Sequence, residues 1–287
     1  MIYKKEKLSK YSWFNLGGEA EIFFKPNSEI ELKEFLNNYK SKKYKMYILG
    51  AGSNTLFRDS GFKGVIIKLG NGFSQTKLIG NNKIEIGAAT LDRKVSEFAM
   101  NNSISGFEFL SCIPGSIGGA ILMNSGCYKQ DISNIFYSLK AMNFSGEIKN
   151  FNKHEIEFSY RGCNIPKDLI ILSVVLAGQN GDKKNIEKKM NKFITNKKNS
   201  QPSRIKTCGS TFKNTKNKKA WELIKFSDCK KLEVGGASIS EKHCNFFVNN
   251  GTATATDVEK LINEVQKKVF LKTKEKLELE IKIVGDK

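Results

Sequence analysis

Gly50-Ala51-Gly52-Ser53-Asn54-Thr55 follows an apolar run, Lys45-Met46-Tyr47-Ile48-Leu49, that reads as a strand. Successive backbone N–H groups in such a turn form a concave nest for a phosphate, and glycine permits the positive φ and close approach this needs. A Rossmann turn requires a third glycine opening a helix. Position 55 is Thr and the chain continues toward another strand, so the pattern argues against a Rossmann turn. A tight loop between strands remains the alternative reading. A second glycine-dense stretch, Ile113-Pro114-Gly115-Ser116-Ile117-Gly118-Gly119-Ala120, runs on to Met123-Asn124-Ser125-Gly126. So much glycine is costly in chain entropy, and is expected where backbone lies against a ligand or simply forms a long loop. Two such loops without a phosphate-lysine motif point to a large phosphorylated ligand such as a dinucleotide.

Three side chains add further chemistry. Arg161, in Tyr160-Arg161-Gly162, is one of only four Arg, at 58, 93, 161 and 204. A guanidinium suits planar carboxylate or phosphate contact, and a surface ion pair is the competing reading. Ser210, in Cys208-Gly209-Ser210-Thr211-Phe212-Lys213-Asn214, is either an exposed proton donor or a turn serine satisfying its own backbone. Glu280 lies in Leu277-Glu278-Leu279-Glu280-Ile281-Lys282-Ile283, whose strict alternation predicts a half-buried strand with its charges toward solvent. With only two His, at 154 and 243, no Ser-His-Asp constellation is convincing. The six Cys show neither CxxC pairing nor zinc spacing, so no metal site is expected and the thiols are read as reduced, several of them buried.

The elements that position these residues are mixed. Ser28 and Glu31 form a capping box before a helix whose Leu32, Phe35 and Leu36 share a face. Strands are expected at 64–67 and 83–86, and a helix from Asp92 to Met100. The glycine density of 104–126 resists regular structure. A basic helix spans Asp182 to Asn199, with Ile186, Met190, Phe193 and Ile194 at helical spacing. Thr256 and Glu259 form a second capping box before a stripe of Val258, Leu261, Ile262, Val265 and Val269. The interleaving argues α+β, with a domain boundary near 180.

The chain has 287 residues, is 39% hydrophobic and carries a net charge of +19. Those values describe a globular chain with a sizeable core and exclude disordered and disulfide-scaffold classes. The charge is almost entirely scattered Lys, which argues for a solvated surface and against nucleic-acid readout. No apolar run reaches membrane-spanning length and no signal-peptide core is present, so a soluble cytoplasmic protein without membrane or nucleic-acid partners is expected.

Taken in order, these segments resemble the UDP-N-acetylenolpyruvoylglucosamine reductases. The resemblance runs from Phe14-Asn15-Leu16-Gly17-Gly18 to Ile283-Val284-Gly285. It includes both glycine loops with Met123-Asn124, Tyr160-Arg161, Gly209 to Asn214, Gly235-Gly236-Ala237, Lys242-His243, Asn245-Phe246 and the terminal alternation. It implies an FAD-binding domain of the vanillyl-alcohol-oxidase (PCMH) type over 1–180, in subdomains of about 1–70 and 71–180. A C-terminal α+β substrate domain would cover 181–287, its last strand, 277–284, returning toward the flavin. The FAD contacts implied are Gly50, Ala51, Gly52, Ser53, Asn54 and Thr55, then Ile113, Pro114, Gly115, Ser116, Gly118, Gly119, Ala120, Asn124 and Gly126. Arg161, Ser210 and Glu280 fall on the catalytic positions, and Asn214 contacts the sugar nucleotide or seats Ser210.

The implied reaction uses NADPH to reduce the flavin. UDP-N-acetylglucosamine enolpyruvate then takes a hydride from flavin N5 at its methylene carbon, giving UDP-N-acetylmuramate for peptidoglycan. Arg161 and a protonated Glu280 stabilise the enolate-like charge, and Ser210 delivers the proton. Three features depart from the family pattern. The extra loop with a substrate-contacting Tyr has no counterpart, which fits a shorter subtype. Cys163 stands where Ser is usual, and Cys127 where a small residue is usual. No His lies within 48–130, so a histidyl link there is impossible and FAD is expected to be non-covalent. An oxidase of the same superfamily is the competing enzyme class, distinguished by oxygen consumption without NADPH.

Overall fold

A computed structural model describes residues 1–39 and 44–287. The chain divides into two compact units. Unit 1 comprises 1–2, 24–51 and 66–197, and unit 2 comprises 3–23, 52–65 and 198–287. The sequence places a single break near 180. In the structure the basic helix Lys183–Ser200 runs unbroken past that point, and the change of unit falls between Lys197 and Lys198. Two N-terminal segments also belong with the C-terminal residues, because Phe14, Leu16 and Leu56 are buried in the same core as the helix near the C-terminus.

Unit 1 is built on a five-stranded antiparallel sheet in the order Ile148–Asn152, Phe136–Asn143, Leu169–Ala177, Lys83–Gly87, Thr76–Ile79. Leu139 pairs with Val174, which pairs with Ile86. These three share one buried cluster with Val95 and Ala99 of the helix Asp92–Asn101 and with Ile117, Ala120 and Ile121. The last three lie in a six-residue helix, Ile117–Leu122. The glycine density of the sequence argues against any helix here. The turn forms because Ala120 N donates to Ser116 O and Met123 N to Gly119 O, while three apolar side chains of the segment are buried; tertiary burial outweighs the poor helix propensity of Gly118 and Gly119.

The helix Glu29–Tyr39 buries Leu32, Phe35 and Leu36, and Phe35 stacks on Phe24 with centroids 3.9 Å apart. Its capping box is half formed. Ser28 Oγ accepts from Glu31 N, whereas the Glu31 carboxylate turns to Asn27 N. In the basic helix, Ile186 and Met190 are buried, but Ile194 is exposed.

Unit 2 packs the helices Ala220–Phe226 and Ala255–Thr273 with a three-stranded antiparallel sheet, Glu233–Val234, Ala237–Ile239 and Phe247–Asn249. The predicted stripe Val258, Leu261, Ile262, Val265, Val269 is fully or almost fully buried. The cap of that helix lies two residues earlier than the sequence suggests. Thr254 and Asp257 form the reciprocal capping box. Thr256 N and Oγ donate to Asp59 instead, and Glu259 holds Arg58 in a two-bond fork at 2.8 and 3.0 Å. A carboxylate on the first-turn N–H groups is the stabilising arrangement there.

The terminal alternation is only partly a strand. Lys282–Val284 pairs in parallel with Thr55–Phe57. Residues 277–281 are held against 211–213 by separate backbone bonds. No helix among the described residues is long and apolar enough to cross a membrane.

Candidate active site

In unit 1 the main chain of the second glycine loop is held against residues 88–92. Asp92 N donates to Gly115 O, Ile117 N to Thr90 O, and Gly118 N to Ala88 O. A Cβ on Gly115 would stand 2.4 Å from Asp92 Oδ2, so a side chain there would displace the buried carboxyl. The Asp92 carboxyl is 1% exposed, and neither oxygen has a hydrogen-bond partner among the described residues. Burial alone pushes it up to about 8, and it is neutral at pH 7.

A Cβ on Gly50 would lie 2.8 Å from Ser116 Oγ, so the end of the first loop adjoins the second. Lys68 Nζ donates to Gly50 O, and burial, aided by the charge of Lys25, lowers that ammonium to about 8. Among the described residues the backbone N–H groups of Gly50, Ala51, Gly115 and Ser116 donate to no backbone carbonyl. Unspent N–H groups in glycine turns are the donor set an anion requires.

Asn124 closes the loop in a left-handed conformation, φ +40. Its Nδ2 donates to Ser159 O at 3.1 Å and its Oδ1 accepts from Ser133 N at 3.0 Å, so its side chain pins neighbouring chain. Arg161 occupies the turn between Phe158–Ser159 and Gly162–Cys163, where Ser159 pairs with Gly162. Its φ of +59 turns the side chain back so that Nη1 donates to Gly126 O at 3.2 Å. Unit 1 therefore gathers Gly50, Ala51, the loop Ile113–Ala120, Asn124, Gly126 and Arg161.

In unit 2 Gly52 has φ +74, and a Cβ there would stand 1.7 Å from Tyr11 O. Asn54 Nδ2 donates to Glu280 O at 3.0 Å, and Lys282 N donates to Asn54 O at 2.9 Å. Thr55 is buried, and its carbonyl accepts from Ser12 Oγ at 2.7 Å. Ser210 follows Gly209, whose φ is +77, and is half-buried. The carbonyl of the next residue, Thr211, accepts from Glu280 N at 2.8 Å, which pairs the backbone of Glu280 with the residue after Ser210. Glu280 is half-buried, whereas Glu278 is exposed, so the charged row expected to face solvent divides in two.

Asn245 holds this arrangement. Its Oδ1 accepts from Phe212 N at 3.0 Å, its Nδ2 donates to Phe212 O at 2.8 Å, and its carbonyl accepts from Thr211 N. Asn214 has a different task, since its Oδ1 accepts from Ala220 N at 3.0 Å and caps the helix Ala220–Phe226. His243 Nδ1 accepts from Asn245 N, and burial lowers its basicity, so it serves the turn. Sequence reasoning gave no role to Asp92, Lys68 or Asn245. Nothing in residue type distinguishes the Asn245 bracket from an ordinary turn.

Two family models match the chain: an FAD binding domain over residues 20–152, and the C-terminal domain of UDP-N-acetylenolpyruvoylglucosamine reductase over residues 201–284. The UDP-N-acetylenolpyruvoylglucosamine reductase of Rickettsia typhi is 45% identical over 99% of this chain and 96% of its own length. The chain belongs to the UDP-N-acetylenolpyruvoylglucosamine reductase family. The Pelagibacter ubique reductase is 44% identical over 96% of this chain and 92% of its own. The crystal structure of the reductase from Thermus caldophilus superposes with a TM-score of 0.85 at 30% identity, covering 99% of this chain and 98% of that one. The fold is accordingly an FAD-binding domain of the PCMH type followed by the family's C-terminal domain. The unspent N–H groups and close-packed glycines of unit 1 fit such a cofactor.

Proposed function

We propose that this chain is an NADPH-dependent flavoenzyme that reduces UDP-N-acetylglucosamine enolpyruvate to UDP-N-acetylmuramate, a peptidoglycan precursor, in the cytoplasm. FAD, when bound, supplies hydride transfer between NADPH and the enolpyruvyl group. The loops at 50–55 and 113–120 would hold its pyrophosphate and lie near its ring, and the N–H groups of Gly50, Ala51, Gly115 and Ser116 are the donors on offer. Asn124 and Gly126 fix the end of the second loop, and Arg161 braces it at Gly126 O.

The side chains divide the remaining chemistry. Ser210 Oγ holds the proton that goes to the carbon next to the carboxylate. A hydroxyl is a weak acid, but the acceptor is a strongly basic carbanion, so the transfer is downhill. The Glu280 carboxyl and the Arg161 guanidinium stabilise the developing enolate-like charge. Asn245 acts on position, bracketing Phe212 two residues after Ser210, and Asn54, in the loop that would hold FAD, is also bonded to Glu280 O. Asn214 seats the segment after Ser210 through the Ala220 cap.

The observation that supports this reading is the bond from Glu280 N to Thr211 O, which pairs the backbone of Glu280 with the residue after Ser210 although the two lie far apart in the chain. The test is product formation. With the enolpyruvyl UDP sugar present, the protein should consume NADPH and yield UDP-N-acetylmuramate without taking up oxygen. Oxygen uptake with another sugar or alcohol, and no NADPH consumption with the UDP sugar, would place it among the oxidases instead.

A further inference from the structure

Two thiols flank the glycine-dense loop of unit 1. Cys112 ends the short 3₁₀ turn Glu108–Cys112, immediately before Ile113. Cys127 follows Gly126 in the two-residue strand Gly126–Cys127. Fifteen positions apart in sequence, their Sγ atoms lie 3.4 Å from one another. Both are half-buried, and both thiols point at one carbonyl, Phe109 O, at 3.3 and 3.6 Å. Lys197 Nζ donates to Cys112 O at 2.6 Å, which brings a cation to the pair. The other free cysteines differ: Cys208, Cys229 and Cys244 are buried, and Cys163 reaches toward Leu122 O.

We propose that Cys112 and Cys127 are a reversible dithiol–disulfide couple, oxidised by small-molecule disulfides, that staples the two ends of the loop 113–126. The chemistry is two successive exchanges. The Cys112 thiolate attacks one sulfur of the small disulfide; that sulfur–sulfur bond breaks, one small thiolate leaves, and a mixed disulfide forms on Cys112. Cys127 then gives its proton to water and attacks Cys112 Sγ, and the second small thiolate leaves. Both protein thiols are thereby oxidised and the small disulfide is reduced to two thiols. The sulfurs must close from 3.4 Å to a bond of about 2.05 Å, a shift that side-chain torsions supply.

The roles follow from the surroundings. The hydrogen bond from Cys127, and then Lys197, lower the Cys112 thiol to about 7, whereas the same contact and burial raise Cys127. Cys112 is thus the attacking sulfur and Cys127 the resolving one. The closed bond would tie Cys127, which follows the Gly126 carbonyl that accepts from Arg161 Nη1, to Cys112 just before Ile113.

The test is a peptide map of the purified full-length protein after incubation with glutathione disulfide. No Lys or Arg lies between the two cysteines, so trypsin leaves both in Val95–Lys129. Cleavage after Met100 and Met123 then yields 101–123 and 124–129, which stay joined only if the sulfurs are bonded. The expected result is a joined pair that dithiothreitol separates, together with a Cys127→Ser variant that stops as a mixed disulfide on Cys112. In the untreated protein at pH 7, Cys112 should alkylate at least about tenfold faster than Cys208. Fragments that separate in the oxidised protein, with each cysteine free or singly modified, would overturn the proposal. The map reads sulfur bonding alone, so its outcome is independent of whether the protein takes up flavin.

Discussion

The glycine loop of unit 1 and the Ser210–Glu280 pair of unit 2 are built on opposite plans. In unit 1 the Cα of Gly115 lies against Asp92 and that of Gly50 against Ser116, and on the proposed reading the groups left to a ligand are main-chain N–H. On the proposed assignment the pair contributes what its residues carry, a hydroxyl and a carboxyl, on main chain held through Thr211 and by the amide of Asn245. Cofactor retention should therefore depend on backbone shape in unit 1, and transfer to substrate on a few side-chain atoms in unit 2. Substitutions that separate these two losses test the division.

The largest effect is expected in unit 2. Ser210→Ala should slow transfer to the enolpyruvyl sugar by about a thousandfold, the scale of a lost general acid, while flavin reduction by NADPH survives. Rapid-mixing measurement of the two half-reactions decides it, since an equal fall in both would make Ser210 a binding or folding residue. Arg161→Lys keeps the charge and loses the fork, and should slow the same half-reaction by about a hundredfold. An unchanged rate removes Arg161 from the chemistry.

Next comes the backbone. Gly115→Ala drives a methyl to 2.4 Å from Asp92 Oδ2 and should weaken flavin retention about tenfold, read as the visible flavin band relative to protein absorbance. Normal flavin content with slow substrate transfer would reverse the roles assigned to the two regions.

The smallest effect is on stability. Asp92 is held at about 8 by burial, above its ordinary value of 3.8, so its contribution is complete below pH 3.8 and is lost as pH rises through 8. Asp92→Asn has no proton to lose. It should match the parent near pH 4 and gain about 1–3 kcal/mol by pH 9, measured as a shift in urea midpoint at constant m. A variant less stable at pH 9 would show that the buried carboxyl has a partner in solution.

The sequence made the two plans unequally legible. The glycine loops could be read as ligand-facing because an unusual density of a costly residue is itself a signal, and Arg161 stood out because Arg is rare. Ser210 and Glu280 carried no such mark. A turn serine and an alternating charge are ordinary, and only the resemblance singled them out. The partners that hold them, Asn54 and Asn245, act through pairings 226 and 33 residues away in sequence, which no local pattern encodes.

The periodic helices were legible wherever an apolar stripe was long, as at Val258 to Val269. Their caps were less so, because a Thr and an acid three residues apart occur at both Thr254 and Thr256, and the choice is made by Asp59 and Arg58 from far upstream. The helix at 117–122 was missed because local propensity argued against it and the burial of Ile117 and Ile121 outweighed that. The division into units was hidden because segments 3–23 and 52–65 join a core made largely of residues after 198.

The most direct test of the central claim is an anaerobic titration followed in the visible spectrum. The account predicts a yellow protein that NADPH bleaches and that the enolpyruvyl UDP sugar recolours, with UDP-N-acetylmuramate formed in proportion. A protein that stays colourless after FAD addition, or one bleached by NADPH that the UDP sugar leaves bleached while air restores the colour, would contradict it.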